Sequence, residues 1–326
     1  MGNARSHQSV LDCIGHTPLV RLTRTFADSP AEVYAKLEFM NPSGSIKDRI
    51  AKYMIERAER DGRLKPGDLI LENSSGNTAL ALAMVGLQKG YRVKVVVRDR
   101  VSREKLDQLY ALGVDVVMAD SGLPPEHPDS YNNIAPRLAA QTPNCYFPDQ
   151  HGNRENNDAH YATTGPEIWE QMEGRIDYFL AGVGTGGTLG GVARYLKERD
   201  PGIKVVAVDG QGSVYHEYFH NKRMVRPSDY LVEGLGDEFI LPTMDFDLID
   251  DMFQVPDREA FQAARAIART EGILVGVSSG GSIWGVERLL SRIEGPARIV
   301  TIFSDGAARY LTKIFNEEWL RERDLL

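Results

Sequence analysis

Cysteine is scarce in this chain and long hydrophobic runs are missing. Cys13 and Cys145 are the only cysteines in 326 residues. Two are too few for a disulfide framework and lack the CxxC spacing of a zinc or redox site, so both read as reduced structural residues. No apolar stretch approaches the roughly 20 residues that cross a bilayer, and the polar start Met1-Gly2-Asn3-Ala4-Arg5-Ser6-His7 leads into none. Neither a membrane span nor a signal peptide is expected, and a cytoplasmic location follows. Positive charge is also in deficit: 38 Lys and Arg against 46 Asp and Glu leave a net charge of -8. That balance argues against a nucleic-acid or anionic-membrane partner, which needs a basic patch. Repeats, low-complexity segments and long linkers are missing too, so nothing marks an added regulatory domain.

What is present is an ordinary globular composition, 42% hydrophobic and 26% charged, in a chain long enough for two domains. Short apolar runs alternate with helical periodicities. Strands are expected at 17–22, 32–38, 69–72, 92–97, 114–118, 145–147, 176–181, 204–208, 273–275 and 297–303. Helices are expected at 47–63, 79–89, 102–112, 134–141, 163–172, 188–198, 257–271 and 281–290. This rhythm predicts an α/β fold with mostly parallel, twisted sheets and right-handed crossovers. Ser121–Ser130 reads as a loop, and Gln211–Tyr230 shows no periodicity.

Chemistry concentrates where strands run into helices. In Asn41-Pro42-Ser43-Gly44-Ser45-Ile46-Lys47-Asp48-Arg49 a Pro/Gly turn opens a helix, and Ser45 with Asp48 has capping-box spacing. The helix should then start at Ser45 with Lys47 in its first turn, where the helix dipole and unpaired amides favour a free amine. A free amine is the nucleophile of Schiff-base chemistry. Gly182-Val183-Gly184-Thr185-Gly186-Gly187-Thr188 places successive amides around an anion at a helix start. It also satisfies G-x-G-x-x-G, with Asp209 near the distance of a ribose-binding acid, so a nicotinamide site competes with a simple phosphate cup. Ser74-Ser75-Gly76-Asn77-Thr78 gathers hydroxyls and amides suited to a carboxylate, or forms an ordinary Ser-rich cap. Gln150 lies in a polar loop, and Gly276-Val277-Ser278-Ser279-Gly280-Gly281 is a glycine-rich turn. His216-Glu217-Tyr218-Phe219-His220 matches H-E-x-x-H, but without helical periodicity or a third ligand it reads as a chance match, and no metal is expected.

Asn41 to Arg49 resembles the cofactor-lysine motif of the β-family, or fold type II, of pyridoxal phosphate enzymes, which includes cysteine synthase and cystathionine β-synthase. The resemblance runs from Gly15-His16-Thr17-Pro18-Leu19-Val20 to Tyr310-Leu311-Thr312-Lys313. It implies two three-layer α/β/α domains like those of the tryptophan synthase β chain. One is a discontinuous cofactor-binding domain over 1–45 and 151–326, the other a small, mobile, substrate-closing domain over 46–150.

By the same resemblance Lys47 carries pyridoxal 5'-phosphate, Gly184, Thr185, Gly186, Gly187 and Thr188 hold its phosphate, Asn77 its ring hydroxyl and Ser278 its ring nitrogen. Ser74, Ser75, Gly76, Asn77, Thr78 and Gln150 grip the substrate carboxylate, with Tyr161 and Gly234 nearby. Ser74, Asn73 and Ala79 stand where threonine, proline and glycine are usual. His160-Tyr161 and Glu233-Gly234-Leu235-Gly236 resemble the cystathionine β-synthase branch, and Glu233 is the candidate acid or base. The implied reaction is β-replacement on L-serine or an O-activated serine, by way of an aminoacrylate, with homocysteine or sulfide as nucleophile. An amine nucleophile giving a 2,3-diaminopropionate derivative is the alternative within the class, and a nicotinamide oxidoreductase the alternative outside it. The expected partners are small amino acids and a second copy of the chain.

Overall fold

Ten strands among the described residues bear out the alternation. They are β1 (Leu19–Arg21), β2 (Glu32–Leu37), β3 (Leu69–Asn73), β4 (Arg92–Arg98), β5 (Asp115–Ala119), β6 (Cys145–Tyr146), β7 (Tyr178–Gly182), β8 (Lys204–Gly210), β9 (Asp251–Val255) and β10 (Arg298–Phe303). The structure is a computed structural model and describes residues 6–124 and 127–326. The first five residues of the polar start and the middle of the 121–130 loop lie outside the described residues. The principal helices are α1 (Lys47–Arg60), α2 (Asn77–Gln88), α3 (Arg103–Ala111), α4 (Tyr131–Gln141), α5 (Glu155–Ala162), α6 (Thr164–Gln171), α7 (Gly187–Arg199), α8 (Tyr215–Asn221), α9 (Asp257–Thr270) and α10 (Val277–Leu290). None of the described helices is long and apolar enough to cross a membrane.

The chain divides into two units, one taking in the chain through His16 with Asn41–Glu155, the other Thr17–Met40 with Asn156–Leu326. This corrects the expected boundary, which placed all of 1–45 with the second unit. The cause is local packing. Leu11 enters the core that α1 and α2 build with Ile55 and Leu80. The Lys52 ammonium donates to the Leu11 carbonyl at 2.9 Å, and the Gly15 amide donates to Asn41 Oδ1 at 2.9 Å.

In the first unit four strands, in the order β5-β4-β3-β6, are all parallel. Side chains alternate across the pleat. Ile70, Val93, Val95 and Val97 meet Ala51, Ile55, Leu80 and Leu82 on one face, while Leu69, Leu71 and Val96 meet Ile134 and Ala135 on the other. Burial on both faces is why these strands read as continuous apolar runs.

In the second unit six strands take the order β1-β2-β10-β7-β8-β9, with only β1 antiparallel to its neighbour. Ala35, Leu180, Val206, Val208 and Ile299 pack on Phe261, Ala264, Ile283 and Val286 of α9 and α10. The alternate residues Phe179, Ala181, Val205 and Ala207 are buried too, with α7 against β7. Lys36, wholly buried in β2, donates to the Glu167 carboxylate at 2.7 Å and to Gln171 Oε1 at 2.9 Å. A lysine so engaged is a structural cation rather than a nucleophile.

Three expectations fail here. Ile273–Val275 forms no strand, only a bridge from Val275 to Gly306. Asp251–Val255 is an edge strand that its mixed Asp/Gln composition hides, and Gln211–Tyr230 contains α8.

Candidate active site

In the first unit, the turn before Lys47 is closed by the Gly44 amide donating to the Asn41 carbonyl at 2.8 Å, with Gly44 at φ 83. Left-handed backbone of this kind suits glycine. Helix α1 begins at Lys47, whose amide donates to Ser45 Oγ at 3.3 Å. The expected start at Ser45 is therefore two residues early. Asp48 does not reach back to Ser45 as a capping box would. Its carboxylate accepts from the Ser43 amide at 2.7 Å and from the Ser43 hydroxyl, because the Pro42-Ser43-Gly44 turn folds Ser43 over the helix end. Lys47 is half-buried in the first turn.

The Ser74–Thr78 segment joins β3 to α2. Ser74 Oγ accepts from the amides of Gly76 (3.3 Å) and Ala79 (3.2 Å), and Ser75 Oγ accepts from the Arg98 amide at 2.7 Å. Each hydroxyl is thus oriented by amides it accepts from. The Thr78 hydroxyl donates to Gln150 Oε1 at 2.6 Å and both residues are buried, so Gln150 is no surface loop residue. Behind them sits Glu72, an acid the sequence reading treated only as the end of a strand. It is fully buried and accepts from the amides of Asn73 (3.0 Å) and Gln150 (3.2 Å). Burial pushes its carboxyl up to about 8, so it is protonated at neutral pH.

In the second unit, the 182–188 turn is built for close approach. Gly186 has φ 81, and a Cβ there would lie 2.6 Å from Met244 Sδ and 2.9 Å from the Thr243 carbonyl. A Cβ on Gly187 would collide with the Asn156 amide, and one on Gly184 would lie 2.7 Å from the Gly234 carbonyl. The N-cap of α7 is Gly186, which makes no side-chain cap, as suits an anion at a helix start. Four side chains brace the turn. Tyr215 donates to the Gly184 carbonyl at 3.0 Å, Asn156 Nδ2 donates to Thr185 Oγ1 at 3.1 Å, Thr243 donates to the Thr185 carbonyl, and His160 Nε2 lies 3.1 Å from Thr188 Oγ1. None of the four was found by sequence reasoning, beyond His160 as part of a resemblance. Glycines without room for side chains and two braced hydroxyls fit a phosphate group, and so fit pyridoxal phosphate.

The Glu233–Gly236 loop joins the same place. The Gly236 amide donates to the Val183 carbonyl at 2.7 Å, and a Cβ on Gly234 would lie 3.8 Å from Ser278 Oγ. Gly184, Gly234 and Ser278 are thereby brought together. Ser278 sits in the first turn of α10, which starts four residues before the expected Gly281. Glu233 accepts from the Lys313 ammonium at 2.6 Å, with both side chains about one-third exposed (36% and 31%).

Tyr161 is not brought to this group. Its hydroxyl donates to Glu198 at 2.6 Å, and Arg194 lies 4.2 Å from its ring centre. One residue along a helix turns the side chain by about 100°, so while His160 faces the cup, Tyr161 faces away. Asp209 is buried, accepts from the amides of Gly210 and His216 at 2.9 Å each, and is pushed up to about 7 by burial. It anchors the start of α8 and is not presented to a ribose. The H-E-x-x-H stretch does lie on a helix, against expectation. His220 Nε2, however, faces the Met252 carbonyl at 2.9 Å and Glu217 accepts from Asn221 and Arg223. Among the described residues no three ligands group around a metal position.

Residues 10–305 match the protein family described as pyridoxal-phosphate dependent enzyme. The chain is 41% identical to the cystathionine beta-synthase of Apis mellifera over 97% of its own length and 63% of that protein. It is 37% identical to cysteine synthase 1 of Neurospora crassa, over 96% of this chain and 84% of that one. It thus spans less than two thirds of the Apis mellifera protein and of the Dictyostelium discoideum cystathionine beta-synthase, of which it covers 62%. Among solved structures, the O-acetylserine dependent cystathionine beta-synthase of Helicobacter pylori superposes with a TM-score of 0.86 at 35% identity, covering 95% of this chain and 98% of that one. O-ureido-L-serine synthase superposes with a TM-score of 0.88 at 33% identity, covering 97% and 100%.

Proposed function

Since the chain belongs to the family of pyridoxal-phosphate dependent enzymes, we propose that it catalyses β-replacement on an O-activated L-serine with a thiol nucleophile, homocysteine giving cystathionine or sulfide giving cysteine. The observation that carries this reading is the buried contact in which the Thr78 hydroxyl donates to Gln150 Oε1, drawing Gln150 to the Ser74–Thr78 segment that we read as the carboxylate loop.

When bound, the cofactor supplies an aldehyde carbon for a Schiff base and a ring that withdraws electrons from Cα. Lys47 is the residue that holds it, Gly184 to Thr188 hold its phosphate, Asn77 its ring hydroxyl and Ser278 its ring nitrogen. A serine hydroxyl donates a hydrogen bond but is too weak an acid to protonate that nitrogen, which favours early loss of the β-substituent. Ser74, Ser75, Gly76, Thr78 and Gln150 fix the carboxylate. With the cofactor bound, the Lys47 amine would take the substrate's Cα proton and return it after exchange at Cβ, where the β-substituent would leave with the bonding electrons and the thiol sulfur would add, its proton passing to Glu233.

The Glu233–Lys313 pair supports an activated leaving group. A carboxylate beside an ammonium is a proton acceptor, suited to an incoming thiol and not to protonating a departing hydroxide. The O-acetylserine dependence named for the Helicobacter pylori neighbour is in line with this. The test is to give the holoenzyme L-serine, O-acetylserine or O-phosphoserine, each with homocysteine, sulfide or an amine, and to identify products by mass. Thioether or cysteine from the activated substrates is expected. Turnover of serine alone would overturn the leaving-group assignment, and products from amines alone would favour the diaminopropionate reading. We also infer a homodimer, on the resemblance alone, with mass by light scattering as the check.

A further inference from the structure

Asn156 and His160 stand one helical turn apart on α5, and both are fully buried. Asn156 Nδ2 donates to Thr185 Oγ1 at 3.1 Å. His160 Nε2 lies 3.1 Å from Thr188 Oγ1, and its Nδ1 lies 2.9 Å from Thr164 Oγ1, itself fully buried. An i, i+4 pair shares one helix face, so one face of α5 touches both cup threonines.

A hydroxyl has one hydrogen to give and lone pairs to receive. An amide nitrogen can only donate, so Thr185 receives from Asn156 and keeps its hydrogen for another acceptor. Phosphate oxygens of the dianion are acceptors only. If Thr188 is to give its hydrogen to such an oxygen, it must receive from His160, which puts the imidazole hydrogen on Nε2. Nδ1 is then an acceptor, and the Thr164 hydroxyl is the donor that meets it. The cup sequence Gly184–Thr188 contains no Lys or Arg. Its preference for phosphate therefore rests on the direction of neutral donors.

We propose that Asn156 and His160 are positioning residues that aim the hydroxyl hydrogens of Thr185 and Thr188 at the cofactor phosphate, with His160 held as the neutral Nε2–H tautomer by Thr164. This rests on reading Gly184–Thr188 as the phosphate cup. It goes beyond that reading in assigning a tautomer and a hydrogen-bond direction to two residues outside the cup sequence.

The experiment compares the affinity of the protein for pyridoxal 5'-phosphate and for pyridoxal, which lacks the phosphate, in His160→Phe, His160→Gln and Thr188→Val, with 15N NMR of the histidine ring in the wild-type holoenzyme. His160→Phe should weaken pyridoxal phosphate about 10-fold, the scale of one lost charge-assisted hydrogen bond, and pyridoxal by less than about 3-fold. His160→Gln, whose amide can donate from near the Nε2 position, should recover most of the loss. The ring nitrogens should report a hydrogen on Nε2. Thr188→Val separates the two failures. If it weakens pyridoxal phosphate selectively while His160→Phe does not, the positioning role is overturned and the cup stands. If Thr188→Val leaves the preference for phosphate unchanged, the cup reading itself falls. Equal losses for both ligands in His160→Phe, or a hydrogen on Nδ1, would also overturn the proposal.

Discussion

Replacing Glu72 by Gln should remove a pH dependence of stability that the wild-type chain carries between pH 5 and 8. The ordinary carboxyl value is 4.5 and burial, with Asp149 nearby, raises it to about 8 in the folded state. Between those values the folded protein keeps a proton that the unfolded chain has lost. Stability due to this group is therefore fully present below pH 4.5 and falls as pH rises towards 8, by about 1.4 kcal/mol per unit. From pH 5.5 to 7.5 that amounts to about 3 kcal/mol. Gln fills the same volume without a charge, so this slope disappears.

The substitution also has a fixed cost. The amides of Asn73 and Gln150 donate to different oxygens of Glu72, and a carboxamide offers only one. One amide is left facing an NH2 group, at about 1–3 kcal/mol. Glu72→Gln should then be clearly less stable than wild type at pH 5.5, and the gap should close or reverse by pH 7.5. Urea denaturation of both holoenzymes at several pH values reads this directly, since Asp209 and every other titrating group are common to both and cancel. Parallel stability curves would refute the argument. The same ionisation bears on substrate binding, because a charged Glu72 behind the Ser74–Thr78 loop would oppose a substrate carboxylate. The KM for the amino-acid substrate should rise through pH 8 in the wild type and less so in the variant.

Lys47→Ala should abolish turnover, and borohydride treatment of the wild-type holoenzyme should fix the cofactor to the peptide carrying Lys47; recovery at any other lysine would displace it. Gly187→Ala should weaken cofactor retention by about 10-fold or more, since its methyl group must displace the Asn156 amide that braces Thr185, and equilibrium dialysis measures this. Glu233→Gln should lower kcat/KM for the thiol by about 100-fold, the scale of general-base assistance, while acetate release from O-acetylserine in a single turnover without thiol stays near wild type. Equal loss in both measurements would place Glu233 in leaving-group departure or in folding.

The parts of this molecule legible in the sequence are those where one residue type carries a backbone requirement. Glycines at the end of a buried strand announced the cup, and continuous Val/Leu/Ile runs announced parallel strands buried on both faces. What stayed hidden depends on direction. Tyr161 was placed near substrate by its neighbourhood in a resemblance, and a single step along α5 turns it towards Glu198 instead. Glu72 read only as the end of a strand and Asp209 as a possible ribose-binding acid, because burial leaves no mark on a single position. Helix α8 is only seven residues long and mixes aromatic with charged side chains, which is too short for a period to emerge.

A common physical cause underlies the residues that sequence reasoning passed over. The chain is acidic overall, and the two segments proposed to hold anions, Ser74–Thr78 and Gly184–Thr188, contain no Lys or Arg. Anions are then held by amides and hydroxyls, which are strong donors only when their direction is fixed before the ligand arrives. Direction has to come from a surrounding layer. For the cup that layer is Asn156, His160, Tyr215 and Thr243; for the carboxylate loop it is Gln150 and a Glu72 kept neutral by burial. A lysine or arginine would have announced either site on its own. Neutral donors shift the burden to polar residues scattered along the chain, which become recognisable as one device only once folding has brought them together.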